Sequence, residues 1–196
     1  GGDLRVVAGD TANGSLGGGG GRFHYAQLGH GGYTAGGEHK GSVNVTATGT
    51  VDVLGGSSDD NSRDDNNFAL VGHGGRGYNW SATSANTGPL SSVSLSGNTN
   101  GVNVSGATGL NVIAGDHRSF AQIGLGGFEY GGDHVGDVSV STTTGDILLQ
   151  ASREDQSHAM IGNGGYNSDG TFEGDIRITS GGSLSAIGGS GVSDAW

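Results

Sequence analysis

The sequence predicts an all-β protein, a parallel β-helix (β-solenoid) with three short strands per coil and irregular loops, on three observations. Forty-five of the 196 residues are glycine, about three times the usual share. A short glycine-bearing motif occurs four times, as Tyr25-Ala-Gln-Leu-Gly-His-Gly-Gly-Tyr33, Phe68-Ala-Leu-Val-Gly-His-Gly-Gly75, Phe120-Ala-Gln-Ile-Gly-Leu-Gly-Gly-Phe128 and His158-Ala-Met-Ile-Gly-Asn-Gly-Gly-Tyr166. Between the copies, aliphatic residues alternate with polar ones at period two, and no window longer than about ten residues shows the helical period.

The elements follow in chain order. Leu4, Val6 and Ala8 form the third strand of a preceding unit, to which residues 1–24 belong. Units start near 25, 68, 120 and 158. Each opens on a first strand whose inward residues are Ala26 and Leu28, Ala69 and Val71, Ala121 and Ile123, or Ala159 and Ile161. The glycines that follow suit a tight corner, because glycine tolerates positive φ and lets backbones approach. A second strand carries Val43 and Val45, Val102 and Val104, Val138 and Val140, or Ile176 and Ile178; a third carries Val51 and Val53, Leu110 and Val112, Ile147 and Leu149, or Leu184 and Ala186. The second unit holds an extra candidate strand at Val93 and Leu95. The motif alanines are 43, 52 and 38 residues apart, so the variable length sits in loops.

Strands this short cannot offset their ordering entropy alone. They gain stability if equivalent strands of successive units stack about 4.8 Å apart and pair through their backbones. A coil of about 40 residues competes with two coils of about 20 per repeat; the constant order of three strand types favours the larger one. The chain reads as a single β-solenoid piece of a longer protein.

Composition removes other classes. Glycine lacks the every-third-residue spacing of collagen, and the one proline is Pro89. There is no cysteine, so no disulfide framework or thiol chemistry, and no apolar run approaches the roughly 20 residues of a membrane helix. A net charge of −11, with Lys40 the only lysine, opposes binding to nucleic-acid phosphates. No Gly-x-Ser-x-Gly or His-Glu-x-x-His is present, and the five glycines Gly17–Gly21 precede no helix or Lys-Ser pair that could cradle phosphate.

Phe120-Ala-Gln-Ile-Gly-Leu-Gly-Gly127, followed by Gly136-Asp-Val-Ser-Val140 and Gly145-Asp-Ile-Leu-Leu149, resembles the repeat region of large bacterial exoproteins of the filamentous-haemagglutinin type, the two-partner-secretion adhesins. The resemblance runs from Tyr25 to Gly188. It implies a right-handed parallel β-helix on a long secreted shaft, working in attachment, cell aggregation or biofilm matrix. The Asn-Pro-Asn-Leu or Asn-Pro-Asn-Gly motif of the family's secretion domain is missing, which assigns this segment to the shaft.

Several residues are candidates for chemistry. Asp59, Asp60, Asp64 and Asp65, with three asparagines between Asp59 and Asn67, form an oxygen-rich loop of the kind that holds Ca²⁺, although it matches neither an EF-hand nor a calcium β-roll and most acidic runs are simply solvated. No other cofactor is expected. Tyr33, Phe128 and Tyr166 recur after the glycine pair, with Tyr78 and Trp80 nearby in the second unit; a row of exposed aromatics would stack on sugars, or else cover a corner. His30 and His73 share a motif position, where a metal pair competes with simple stacking. Glu38-His39 and Asp133-His134 pair acid with imidazole, but neighbours on a strand face opposite ways, so both read as solvated corners. Asp52 and Asp146 occupy related strand positions with no arginine in register.

The leading functional expectation is a structural, non-enzymatic shaft of a secreted or cell-surface adhesin. Its partners would be its own repeats end to end, flanking β-helix domains, and extracellular polysaccharide or a host or bacterial surface, without membrane insertion. The alternative is a polysaccharide-binding or polysaccharide-cleaving β-helix of the pectin-lyase kind.

Overall fold

A computed structural model describes residues 2–9, 23–36, 38–56, 66–77, 101–154 and 156–189. The run Gly17–Gly21 and the candidate strand at Val93 and Leu95 lie outside the described residues.

Alternating aliphatic residues between glycine and polar clusters fold as strands throughout, and no helix occurs among the described residues. Strand β1 (Leu4–Val7) comes first. The first repeat supplies β2 (Tyr25–Leu28), β3 (Gly31–Tyr33), β4 (Ser42–Thr46) and β5 (Thr50–Leu54). The second supplies β6 (Phe68–Val71), β7 (Gly74–Arg76), β8 (Gly101–Ala107) and β9 (Gly109–Ile113). The third supplies β10 (Phe120–Ile123), β11 (Gly126–Phe128), β12 (His134–Val135), β13 (Val138–Thr142) and β14 (Ile147–Gln150). The fourth supplies β15 (His158–Ile161), β16 (Phe172–Glu173), β17 (Ile176–Thr179) and β18 (Leu184–Ile187).

Strands pair between repeats, in parallel. The sheets run β2-β6-β10-β15, β3-β7-β11, β4-β8-β13-β17, β12-β16 and β1-β5-β9-β14-β18. Their register is like on like. Ala26 faces Ala69, Ala69 faces Ala121 and Ala121 faces Ala159. Val43, Val102, Val138 and Ile176 form a second line, and Leu4, Val51, Leu110, Ile147 and Leu184 a third. The predicted columns are therefore present, β1 joins the third sheet as expected, and the all-β architecture of parallel sheets is compatible with a β-solenoid. One register shift interrupts it: between β8 and β13 the step from Val140 to Thr142 is matched by one from Val104 to Ala107. That is a bulge, with Gly106 at φ 80° supplying the extra residue.

Two expectations change. The segments of the glycine pairs, expected to be corners, are themselves short paired strands in β3, β7 and β11; at the positive φ of Gly31 and Gly74 a Cβ would fall on a carbonyl of the next repeat, so only glycine fits there. The first sheet was expected to bury one face, yet every residue of β6 and β10 is buried. Ala69, Val71, Ala121 and Ile123 enter the main core with the columns above, while Phe68, Leu70, Phe120 and Phe128 form a second apolar cluster.

Column position sets the value of each aliphatic side chain. Ile147 is fully buried, whereas Leu184, its register partner, is 54% exposed. Ile147→Ala should destabilise by about 3 kcal/mol, a buried large-to-small change, and Leu184→Ala by less than about 1 kcal/mol; paired denaturant melts check the contrast, and equal losses would refute the columnar core.

Candidate functional site

Outside the main core, the repeats set side chains one above another at the spacing of the strands. Tyr25, Phe68, Phe120 and His158 make one ladder, with ring centroids 4.9, 4.9 and 5.0 Å apart and planes tilted by no more than 4°. The motif's third position carries glutamine in the first and third repeats. The Gln27 amide donates to the carbonyls of His30, Gly72 and Gly74, at 3.0, 3.2 and 3.3 Å, and Gln122 does the same to Leu125, Gly162 and Gly164. Sequence reasoning passed over these glutamines, although their recurrence in Tyr-Ala-Gln-Leu and Phe-Ala-Gln-Ile was the signal.

Register aligns Tyr33, Arg76 and Phe128, and Tyr166 stacks on Phe128 at 4.6 Å. Of the sugar-contact candidates, Tyr166 is 38% exposed and Tyr33 partly so, but Phe128 is fully buried. Arg76 covers the Phe128 ring at 3.9 Å and donates to the Arg118 carbonyl at 3.1 Å, so Phe128 has no face to offer a sugar; it is a packing residue. Tyr78 and Trp80 lie outside the described residues, as do the calcium candidates Asp59, Asp60, Asp64 and Asp65.

His30 and His73 stack with centroids 5.0 Å apart, close to the expected spacing. Both nitrogens of His73 are engaged: Nδ1 accepts from the His30 backbone N–H at 3.0 Å, and Nε2 donates to the Gly41 carbonyl at 2.9 Å. Among the described residues no group of three or more His, Cys, Asp or Glu is placed to hold a metal.

The acid and the imidazole of each neighbouring pair take different partners. Glu38 pairs with Lys40 at 2.7 Å, while His39 Nε2 lies 3.2 Å from the Tyr130 hydroxyl, which donates to the Ala35 carbonyl at 2.9 Å. Tyr130, a fully buried residue the sequence gave no reason to single out, thus fastens the loop between β3 and β4 across 95 positions. Burial pushes its hydroxyl pKa up. Asp133 accepts from the Thr171 N–H at 3.1 Å, and that bond, followed by the Thr171 side chain, holds its carboxyl below the usual value. His134 is not the solvated corner expected: it is wholly buried, stacked on Phe172 at 5.1 Å and edge-on to Tyr130. Burial lowers its pKa, with the Gly132 carbonyl and Asp133 opposing.

Asp52 and Asp146 also part company. Asp52 stands in register with Arg5 and Asn111, and meets them at 3.4 and 2.9 Å; an arginine therefore does join it, contrary to expectation. Asp146 precedes the aligned Ile147 and caps the Ser183 N–H at 2.7 Å. The two carboxylates occupy different columns because Gly-Asp-Ile opens a strand, whereas Asp52 sits inside Thr-Val-Asp-Val. Capping is the general task of such residues. Asp3 accepts from Thr50 N–H and Asp137 from Asp175 N–H, both at 2.9 Å.

No family model, curated protein or solved structure matches this chain. Functional inference therefore rests on the geometry and the sequence.

Proposed function

We propose that the chain is a shaft segment of a large secreted or cell-surface adhesin of the filamentous-haemagglutinin kind, wound as a right-handed parallel β-helix with three main strands per coil of about 40 residues. The observation that carries the reading is where its polar side chains go. Asp3, Asp133, Asp137, Asp146, Gln27, Gln122, His73 and Asn163 all hydrogen-bond the backbone of a neighbouring repeat, so groups that could serve chemistry are spent joining one repeat to the next. A structure made this way extends along its axis by about 4.8 Å per coil. Attachment, cell aggregation or a place in a biofilm matrix suits such a spacer, with like repeats or flanking β-helix domains as its neighbours along the axis.

The test has two arms. Small-angle scattering of the chain, and of versions carrying two and three tandem copies of residues 25–189, should show a constant cross-section and a length rising in proportion. Beads coated with the three-copy version should aggregate or adhere to bacterial or host cells more than beads coated with one copy. A cross-section that grows with copy number would overturn the shaft.

One observation favours contact with polysaccharide as a second reading: Tyr33 and Tyr166 keep exposed surface on one edge. Retention on immobilised acidic polysaccharide should fall about tenfold when both become alanine, and unchanged retention would dismiss it. Appearance of new reducing ends or unsaturated products during the same incubation would replace binding by cleavage.

A further inference from the structure

The motif position after the first glycine is His in the second repeat and Asn in the fourth, and the two do the same work. His73 Nδ1 accepts from the His30 N–H and Nε2 donates to the Gly41 carbonyl, at 3.0 and 2.9 Å. Asn163 Oδ1 accepts from the Leu125 N–H at 3.3 Å and Nδ2 donates to the Gly136 carbonyl at 2.7 Å. His30 and Leu125 are equivalent motif positions, and Gly41 and Gly136 both stand two residues before an aligned core valine, Val43 or Val138. Each side chain therefore reaches back one repeat and fastens the same two backbone groups. An amide does this at any ordinary pH. An imidazole does it only as the neutral Nε2–H tautomer, because protonation places an N–H on Nδ1 facing the His30 N–H, donor against donor.

We propose that His73 is a proton-gated latch between the first and second repeats, closed while its ring is neutral and released on acidification, and that Asn163 is its proton-insensitive counterpart between the third and fourth. The surroundings reinforce release. From below, the His30 ring stacks on His73, so a charge on both rings repels. From the loop between β3 and β4, His39 interacts electrostatically with both rings, and the charged residues of that loop, Glu38 and Lys40, are closed on each other. From the third repeat, the residue at the equivalent position is the uncharged Leu125. Burial holds the His73 imidazole below its ordinary value, opposed by the bond to Gly41 and aided by His30. The latch is thus intact near neutral pH and lost as pH falls below the ordinary imidazole range around 6.5. Its release frees the His30 amide and removes one tie to the loop that Tyr130 also holds.

Amide hydrogen exchange by NMR, corrected for the intrinsic pH dependence of exchange, tests this on the whole chain. Between pH 7 and pH 5 the protection of the His30 amide should fall about tenfold or more while that of the Leu125 amide holds. In His73→Asn, which installs the side chain already used at position 163, His30 should stay protected at both pH values. Equal His30 protection at the two pH values in the unmodified chain would overturn the latch, as would a loss that persists in His73→Asn, which would assign it to His30 or His39. Should His73→Asn fail to fold, Asn163→His decides: pH-dependent loss at the Leu125 amide supports the latch, and unchanged protection there refutes it.

Discussion

Gly72→Ala should cost about 3 kcal/mol or more, while the same change at Gly162 should cost markedly less. The two glycines hold the same motif position and nearly the same backbone, at φ 143° and 146°. An alanine at either bears the strain of a conformation that side chains avoid, about 1–3 kcal/mol. At Gly72 the added Cβ would also fall on the Gly124 carbonyl, whose carbon lies 2.8 Å from the ideal position; at Gly162 it would meet only side-chain ends, Met160 at 3.3 Å and Ile176 at 3.7 Å. A backbone carbonyl of a residue tied through its own N–H to Val71 cannot move aside as the tip of a methionine can, so the difference isolates the closeness of neighbouring repeats. Equal melting midpoints for the two variants would show that backbone strain alone conserves the motif within the chain. The comparison extends to Gly36→Ala, where nothing lies within 4 Å and the change should be nearly neutral.

Acidification from pH 7 to pH 5 should remove about 2 kcal/mol of stability through His158 alone, and His158→Phe should restore it. The ring ends the ladder that begins at Tyr25, stacked on Phe120, and neither of its nitrogens has a hydrogen-bond partner. Burial, with a smaller contribution from the Arg76 charge, lowers its pKa to about 4. The unfolded chain, with an ordinary imidazole near 6.5, therefore binds a proton that the folded chain refuses. Stability from the neutral ring is complete above about pH 6.5 and lost as pH falls toward 4, reaching about 3 kcal/mol at the lower limit. Phenylalanine already fills the ladder at positions 68 and 120, so it should fit at 158 and flatten the pH profile of the melting temperature. The lowered His134 should preserve part of the slope in that variant. A profile unchanged by His158→Phe would show that the ring is hydrated in solution.

How far the sequence disclosed this structure depends on the kind of force involved. Columns such as Ala26-Ala69-Ala121-Ala159 were readable because parallel pairing in register repeats one side-chain size at one position. The second apolar cluster was not readable: Phe68 and Phe120 alternate with Ala69 and Ala121 as outward residues of a half-buried strand would, and nothing local says that their side of the sheet is also covered. Burial of His134 and Tyr130 depends on segments remote in the chain, which acid–imidazole adjacency cannot report. The offset between Asp52 and Asp146 was hidden because Val-Asp-Val and Gly-Asp-Ile look alike until the core residues are aligned.

Because register is carried by like-on-like columns while the loops between them differ in length, one unit is interchangeable with another. Removing residues 68–119 would set Tyr25 beneath Phe120, Leu28 beneath Ile123 and Val51 beneath Ile147, the same classes of neighbour as before. A gene for such a chain can gain or lose whole units by unequal recombination without having to invent a new joint, so the number of stacked units can change in whole steps.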